Sequence, residues 1–237
     1  IVLNPFSGYE EHGITLHVGK KVVSVDRKRR IVRAEDGTEA EYDRLLIATG
    51  SNPFILPVPG KDLEGVIGYR DITDTNAMIE AAAKYEHAVV IGGGLLGLEA
   101  ANGLMRRGMQ VTVVHLMPWL MERQLDDTAA KLLQQSREAR GIAFLIGAQT
   151  QALIGDKDGR VMAVRFKDGT EVPADLVVMA AGIRPNTELA EKIGLHCGPR
   201  KGGGIVVDDT MQTITDPRIY AIGECASHRG IAYGLVA

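Results

Sequence analysis

The spacing of apolar and polar residues divides the beginning of the chain into short segments. Between residues 14 and 47 apolar positions alternate with polar ones in brief runs separated by turns. This pattern predicts strands at residues 14–18, 22–25, 31–34 and 42–47. Residues 4–9, before the first run, are rich in turn formers and predict a loop.

The middle of the chain has a different pattern. An uninterrupted apolar run, Ala88-Val89-Val90-Ile91, ends at a glycine cluster, and helical spacing follows it. A second apolar strand then lies at residues 110–114. A strand, a helix and a second strand of these lengths predict a βαβ unit.

Further periodic segments surround this unit. Helices are predicted at residues 76–83 and 125–140, the second with acidic residues at its start and arginines near its end, as a helix dipole favours. Strands are predicted at residues 142–146, 151–154, 161–166, 176–180, 205–207 and 219–222. The proline-rich residues 53–60 predict a link between two domains.

The glycine cluster has the chemistry of a dinucleotide clamp. Gly92 permits a tight turn after the strand, Gly94 lets the backbone approach a pyrophosphate, and Gly97 lets the helix pack closely on the strand. The first N–H groups of the helix then face the anion. The predicted clamp consists of Gly92, Gly93, Gly94, Leu95, Leu96 and Gly97. The alternative is a glycine-rich turn that binds nothing.

Composition narrows the function classes. The 237 residues carry a net charge of −3, which gives no reason to expect nucleic acid or an anionic membrane as a partner. No apolar run approaches the length of a bilayer span, and no secretory signal is visible. Cys197 and Cys225 are too far apart for a redox pair, which favours the cytoplasm. Cys225 and His228 supply only two candidate ligands, so no metal site is expected.

The chain ends suggest a piece of a longer polypeptide. The sequence opens at Ile1 without a methionine, and residues 233–237 read as the start of a helix. The alternative interpretation is an intact small protein with ragged termini.

Three further motifs carry a resemblance to a known family. They are Ala48-Thr49-Gly50, Gly182-Ile183-Arg184-Pro185-Asn186 and the strand Ile219-Tyr220-Ala221-Ile222 that leads to Gly223-Glu224. With the clamp, their order resembles the FAD- and NAD(P)-dependent pyridine nucleotide-disulfide oxidoreductase superfamily. The resemblance implies an α/β fold in which a Rossmann-like NAD(P)-binding domain is inserted into an FAD-binding domain of the glutathione-reductase type.

The resemblance also implies domain boundaries. Residues 1–70 and 184–237 correspond to the FAD-binding domain, and residues 71–183 to the NAD(P)-binding domain. The family's first FAD-binding βαβ unit has no counterpart before residue 14, so a truncated FAD domain with vacant flavin positions is expected.

Within the superfamily, residues 113–126, 206–213 and 223–230 resemble the flavoprotein part of assimilatory NAD(P)H nitrite reductase large subunits. This implies that NADH or NADPH reduces FAD and that electrons pass to an iron–sulfur cluster and sirohaem outside this chain. The implied partners are downstream redox domains or a small subunit, and homodimer formation is left open. The alternatives are a rubredoxin or ferredoxin reductase, an NADH oxidase, or a nucleotide-binding fragment without turnover.

Individual residues match the family's functional positions. The flavin positions are Val22, Ala48, Thr49, Gly50, Arg70, Gly223 and Glu224, and Arg123 and Gly182 join the clamp as nicotinamide-nucleotide positions. Glu99, on the clamp helix, is expected to orient the nicotinamide or tune the flavin. A solvent-facing helix acid is its alternative role.

His115 departs from the family pattern. NAD-specific members usually end the second strand with an acid that accepts from the adenine-ribose 2′-hydroxyl, and arginine serves NADP. A neutral imidazole can bind the hydroxyl and an imidazolium tolerates a phosphate, so His115 is expected to set a mild preference. The nearby Glu122 does not favour a phosphate, which favours NADH.

Overall fold

The computed structural model describes residues 5–199 and 203–232. Its helices are α1 (Phe6–Glu11), α2 (Ile72–Ala82), α3 (Leu95–Arg106), α4 (Asp127–Glu138) and α5 (Glu188–Lys192). Its strands are β1 (Val22–Asp26), β2 (Ile31–Ala34), β3 (Glu39–Glu41), β4 (Leu45–Ile47), β5 (Ser51–Pro53), β6 (Val66–Gly68), β7 (His87–Ile91), β8 (Gln110–His115), β9 (Ile142–Ile146), β10 (Thr150–Gly155), β11 (Val161–Phe166), β12 (Glu171–Pro173), β13 (Leu176–Met179), β14 (Ile183–Pro185), β15 (Ile205–Val207), β16 (Ile219–Ala221) and β17 (Ala226–His228).

The chain forms two compact units. One comprises Ile1–Ser51 with Pro185–Ala237, and the other comprises Asn52–Arg184. The structure therefore places the first boundary earlier than residue 70, because β6 pairs in parallel with β13 inside the second unit. The assignment of one cofactor to each unit stays a prediction.

The unit of Asn52–Arg184 is organised by a parallel sheet of five strands in the order β6-β13-β7-β8-β9. Helix α3 packs on one face through Gly97, Ala100, Ala101 and Leu104, which recur at helical spacing. The antiparallel sheet β10-β11-β12 covers the other face with Leu153, Val164 and Phe166. Strands β7 and β13 are therefore buried on both faces, which explains their continuous apolar sequence.

The register of this sheet brings three strand ends together. Ile91 pairs with Val114 on one side and with Met179 on the other. Strands β7, β8 and β13 consequently end at the same carboxyl edge, which in parallel α/β sheets is the edge where ligands bind.

The other unit contains smaller sheets. Strands β1, β2 and β3 form an antiparallel sheet, and the parallel pairs are β4 with β16 and β15 with β17. Ile47, Ile205, Ile219 and Ala221 are among the buried residues of its core.

Two predictions for the first residues are wrong. Residues 14–18 form no strand, and Ile14 and Val18 are 52% and 65% exposed, so this apolar run has no core to pack against in the described chain. Within the predicted loop at residues 4–9, a helix begins at Phe6. The predicted helix start at residues 233–237 lies outside the described residues.

Helix α2 begins four residues before the predicted position 76 because Asp71 caps it. The Asp71 side chain accepts from the backbone N–H of Asp74 (3.0 Å), and the Asp74 carboxylate accepts from the backbone N–H of Asp71 (3.3 Å). This reciprocal pair is a capping box.

Asp71→Ala is expected to lower the free energy of unfolding by about 1 kcal/mol, because an N-terminal N–H of α2 then loses its acceptor. Urea denaturation followed by circular dichroism measures the change. Glu80→Ala, at an exposed position of the same helix, is the matched control and should change little. Equal losses in both variants would contradict the capping role.

Candidate functional site

The glycine turn after β7 is confined by the two neighbouring strand ends. Gly92 has a φ of +130°, a conformation that L side chains rarely adopt. Its N–H donates to the carbonyl of Val114 (2.8 Å), and a Cβ at this position would lie 2.2 Å from the carbonyl oxygen of Ala180. The site therefore requires glycine here on both conformational and steric grounds.

Gly97 and Gly94 have opposite surroundings. A Cβ at Gly97 would lie 1.9 Å from the carbonyl oxygen of Gly92, so α3 packs directly on the turn. A Cβ at Gly94, the N-cap residue of α3, would meet no atom within 4 Å. The N–H groups of the first helical turn have no partner within the helix, and the space beside Gly94 leaves room for an anion. These residues fit the pyrophosphate of a dinucleotide.

Gly93 joins the turn to the loop that follows β8. Its N–H donates to Nδ1 of His115 (3.0 Å), and its carbonyl accepts from the N–H of Met121 (3.0 Å). A Cβ at Gly93 would lie 2.6 Å from Cδ2 of Leu120, which is fully buried. The loop is thus packed and hydrogen-bonded against the turn.

His115 ends β8 and is buried. Its Nδ1 accepts from Gly93, and its Nε2 lies 3.2 Å from Oε2 of Glu122. Both ring nitrogens are therefore engaged within the chain. Its expected role in distinguishing NADH from NADPH stays a prediction, and the structure shows that the ring also supports the turn.

The remaining nicotinamide-nucleotide positions lie on the same unit. Leu95 and Leu96 open α3, Glu99 is exposed one turn later, and Arg123 is exposed in the loop after β8. Gly182 follows β13 with a φ of +116°, and a Cβ there would meet no atom within 4 Å. Their roles toward a nucleotide stay predictions.

A second cluster forms at a strand edge in the other unit. Ile47 pairs with Ala221, so parallel strands β4 and β16 end side by side. The segment Ala48-Thr49-Gly50 follows β4, and Gly223 and Glu224 follow β16. Gly50 and Gly223 have φ values of +63° and +71°. The structure therefore brings together two predicted flavin motifs that are far apart in sequence.

Side chains tie this cluster together. The Thr49 hydroxyl donates to the carbonyl of Asn186 (2.7 Å), and the N–H of Asn186 donates to the carbonyl of Gly50 (2.9 Å). The Ser51 hydroxyl donates to the carboxylate of the buried Glu224 (2.7 Å). Ser51 was not among the predicted site residues, and its position directly after the Thr49-Gly50 motif was the signal available for it.

Two predicted flavin positions lie elsewhere. Val22 begins β1 and pairs with Ala34 in the antiparallel sheet. Arg70 belongs to the unit of Asn52–Arg184, where its N–H donates to Asp74 at the start of α2 (2.6 Å). Val22 thus shares a unit with Thr49 and Gly223 but belongs to a different sheet, whereas Arg70 belongs to the other unit.

Cys225 and His228 have separate partners. The Cys225 thiol is buried and lies 3.2 Å from the carbonyl of Ile222, whereas Nε2 of His228 lies 2.7 Å from a carboxylate oxygen of Asp209. Over residues 5–199 and 203–232, no group of three or more His, Cys, Asp or Glu side chains is arranged to hold a metal ion. Within those same ranges, no helix is long and apolar enough to cross a membrane.

A glycine turn at the carboxyl edge of a parallel sheet, with a helix packed directly on it, defines the class of dinucleotide-binding α/β proteins. The chain belongs to the pyridine nucleotide-disulphide oxidoreductase family, which matches residues 4–236. The resemblance expected from the sequence is thereby confirmed, together with the α/β fold.

Individual relatives refine this assignment. The chain is 54% identical to Nitrite reductase [NAD(P)H] of Bacillus subtilis over 237 residues, which are 100% of this chain and 29% of that protein. It is 46% identical to the Assimilatory nitrate reductase electron transfer subunit of the same organism, again over 100% of this chain and 30% of the relative. The chain thus spans less than a third of the length of either relative.

A solved structure of a ferredoxin reductase has a similar fold. The ferredoxin reductase for the CYP199A2 system from Rhodopseudomonas palustris superposes with a TM-score of 0.90 and 32% sequence identity. The match covers 96% of this chain and 55% of that one.

Proposed function

We propose that this chain is the electron-input module of an NAD(P)H-dependent nitrite reductase, in which a nicotinamide nucleotide reduces FAD. The observation that carries the proposal is the 54% identity to a nitrite reductase over the whole chain. The glycine turn and the cluster around Glu224 support it. In each, glycines allow the backbone to approach a bound nucleotide closely, and polar groups are available to hydrogen-bond to it.

The nicotinamide nucleotide would be held by the unit of Asn52–Arg184. Its pyrophosphate would lie over Gly94, where the first N–H groups of α3 are directed and where no side chain fills the space. Glu99, exposed on the same helix, would orient the nicotinamide through its carboxylate.

FAD would be held by the unit that contains Thr49, Gly50, Gly223 and Glu224. When bound, it supplies a ring system that accepts a hydride from the nicotinamide and passes the electrons on. The chain would contribute orientation: the glycines would permit close approach of the backbone, and the Glu224 carboxylate, which accepts from Ser51, would also accept hydrogen bonds from cofactor hydroxyls.

Electrons would leave toward an iron–sulfur cluster and sirohaem that belong to other parts of the enzyme. The expected partners are downstream redox domains or a small subunit, and the expected compartment is the cytoplasm. Light scattering tests whether the chain forms a homodimer.

A second candidate is a reductase of a small redox protein such as rubredoxin or ferredoxin, or an NADH oxidase. The superposition on a ferredoxin reductase over 96% of this chain favours it. Both candidates share NADH oxidation and differ in the acceptor.

The test is rapid mixing of the FAD-loaded enzyme that contains this module with NADH under anaerobic conditions. Bleaching of the flavin absorbance with equimolar formation of NAD⁺ is expected. Nitrite, ferredoxin and oxygen are then added separately, and rapid reoxidation of the flavin by nitrite alone supports the first candidate. Flavin that stays oxidised although NADH binds would contradict both.

A further inference from the structure

The glycine turn has an acidic neighbour that does not come from the end of β8. His115 occupies that end, and Glu122, seven residues later, provides the carboxylate through its contact with the His115 ring (3.2 Å). The backbone links Gly93 to the same ring from the other side (3.0 Å). Gly93, His115 and Glu122 therefore form a continuous hydrogen-bonded chain, here called the Gly93–Glu122 relay.

The relay allows one tautomer of His115. Because Gly93 donates to Nδ1, that nitrogen has no proton, and the single proton of the neutral ring lies on Nε2. Nε2–H consequently donates to the Glu122 carboxylate. With both nitrogens used, the ring has no group left to read a ribose substituent unless one of these bonds breaks.

The loop holds Glu122 in place. Met121 donates its N–H to the carbonyl of Gly93 (3.0 Å), Leu120 is fully buried beside that glycine, and the Trp119 indole donates to the carbonyl of Leu125 (3.0 Å). The Glu122 side chain nevertheless stays 26% exposed. In the described parts of the chain His115 is the one partner found for this carboxylate, so its second oxygen can accept from a ligand.

We propose that Glu122 determines the choice between NADH and NADPH and that His115 is a positioning residue acting through it. This inference rests on the proposed nucleotide-binding function. The Glu122 carboxylate would accept from the adenine-ribose 2′-hydroxyl of NADH and repel the 2′-phosphate of NADPH. Arg123, which is exposed at the next position, would act in the opposite direction, because its guanidinium would attract the 2′-phosphate of NADPH.

The decisive measurement is the ratio of the dissociation constants for NADPH and NADH, obtained by calorimetry. Glu122→Gln keeps the shape and an oxygen acceptor for His115 but removes the charge, so the ratio should fall about tenfold. Adding Arg123→Gln to that variant should restore part of the ratio by weakening NADPH binding.

Glu138→Gln is the matched control because it also removes one exposed negative charge. Glu138 ends α4, just before β9 begins opposite the start of β8, and so lies at the other edge of the sheet. The ratio of the NADPH and NADH dissociation constants of Glu138→Gln should equal that of the unmodified protein. A ratio that Glu122→Gln leaves unchanged, while both nucleotides bind, would overturn the proposal.

Two substitutions of His115 separate its contacts. Asn places an oxygen near the position of Nδ1 and keeps the acceptor for Gly93, whereas Gln places an amide near Nε2 and keeps the donor to Glu122. His115→Asn should therefore lower the NADPH/NADH ratio, and His115→Gln should weaken both nucleotides equally with the ratio preserved. The reverse result would overturn the positioning role.

The tautomer can be read without any nucleotide. Long-range ¹H–¹⁵N spectra of the free protein should show a protonated Nε2 and an unprotonated Nδ1 for His115. A protonated Nδ1 in the neutral ring would overturn the relay. If the tautomer is as expected but neither nucleotide binds, the proposed function fails instead, so the two failures are distinguishable.

Discussion

Gly97→Ala is expected to lower the free energy of unfolding of the unit Asn52–Arg184 by about 4 kcal/mol or more. A loss larger than the total stability of the unit would prevent its folding. The added Cβ would lie 1.9 Å from the carbonyl oxygen of Gly92 and 2.9 Å from its carbonyl carbon. Both atoms are backbone, so no side chain can rotate away. Overpacking in a core usually costs about 1–3 kcal/mol, and contact with a fixed backbone exceeds that range.

Helix α3 cannot move away to relieve the clash. Ala100, Ala101 and Leu104 on the same helix are buried in the core that α3 shares with the sheet, and a shift would open a cavity there. The turn cannot move either, since Gly92 is confined by Val114 and Ala180. The added Cβ therefore strains the packing of α3 against β7 and the glycine turn, and this strain lowers the stability of the fold.

Gly103→Ala is the matched control within α3. Gly103 is exposed, and a Cβ there would meet no atom within 4 Å, so alanine should stabilise the helix by about 0.5–1 kcal/mol. Guanidinium denaturation monitored by circular dichroism compares the two variants. If Gly97→Ala unfolded at the same denaturant concentration as the unmodified protein, the close packing of α3 on the turn would be wrong.

The sequence predicts the central βαβ unit well because its signals are local. Strand β7, helix α3 and strand β8 each have an apolar period that matches their geometry, and the glycines between them mark the turn. Their places in the glycine cluster predict a tight turn at Gly92 and close packing of the helix at Gly97. The structure leaves open space beside Gly94, and the position of this glycine next to a pyrophosphate stays a prediction.

Elements without an apolar pattern were not predicted. Strands β3 and β12 are short and mostly exposed, and they form because each pairs with a neighbouring strand that is already in place. The reverse error occurs at residues 14–18, where an apolar alternation finds no partner strand in the described chain. Strand formation depends on pairing, and pairing is not visible in a local pattern.

The candidate site shows the same limit. The contact between Ser51 and Glu224 joins residues 173 positions apart, and only the pairing of β4 with β16 brings them together. The engagement of His115 by Gly93 and Glu122 depends on the path of the loop after β8, which no periodicity specifies. The residue types were evident in the sequence, and their hydrogen bonds required the fold.

Gly94→Val is expected to weaken NADH binding about a hundredfold, or ~2.7 kcal/mol, with the fold intact. Gly94 has a φ of −84° and a ψ of −173°, which any residue adopts, and a Cβ there meets no atom within 4 Å. The valine side chain would therefore fit the folded chain but occupy the space proposed for the pyrophosphate. Gly94→Ala, with a smaller group, should weaken binding less.

The measurement is calorimetric titration with NADH, alongside the denaturation midpoint of each variant. Gly103→Ala, on the same helix but beyond its first turn, should bind NADH like the unmodified protein. Gly94→Val is expected to keep the denaturation midpoint of the unmodified protein while its affinity for NADH falls. It therefore tests binding separately from stability, whereas Gly97→Ala changes the stability itself. If Gly94→Val remained folded and bound NADH as tightly as the unmodified protein, the pyrophosphate would not lie over this glycine, and the dinucleotide assignment of the turn would be wrong.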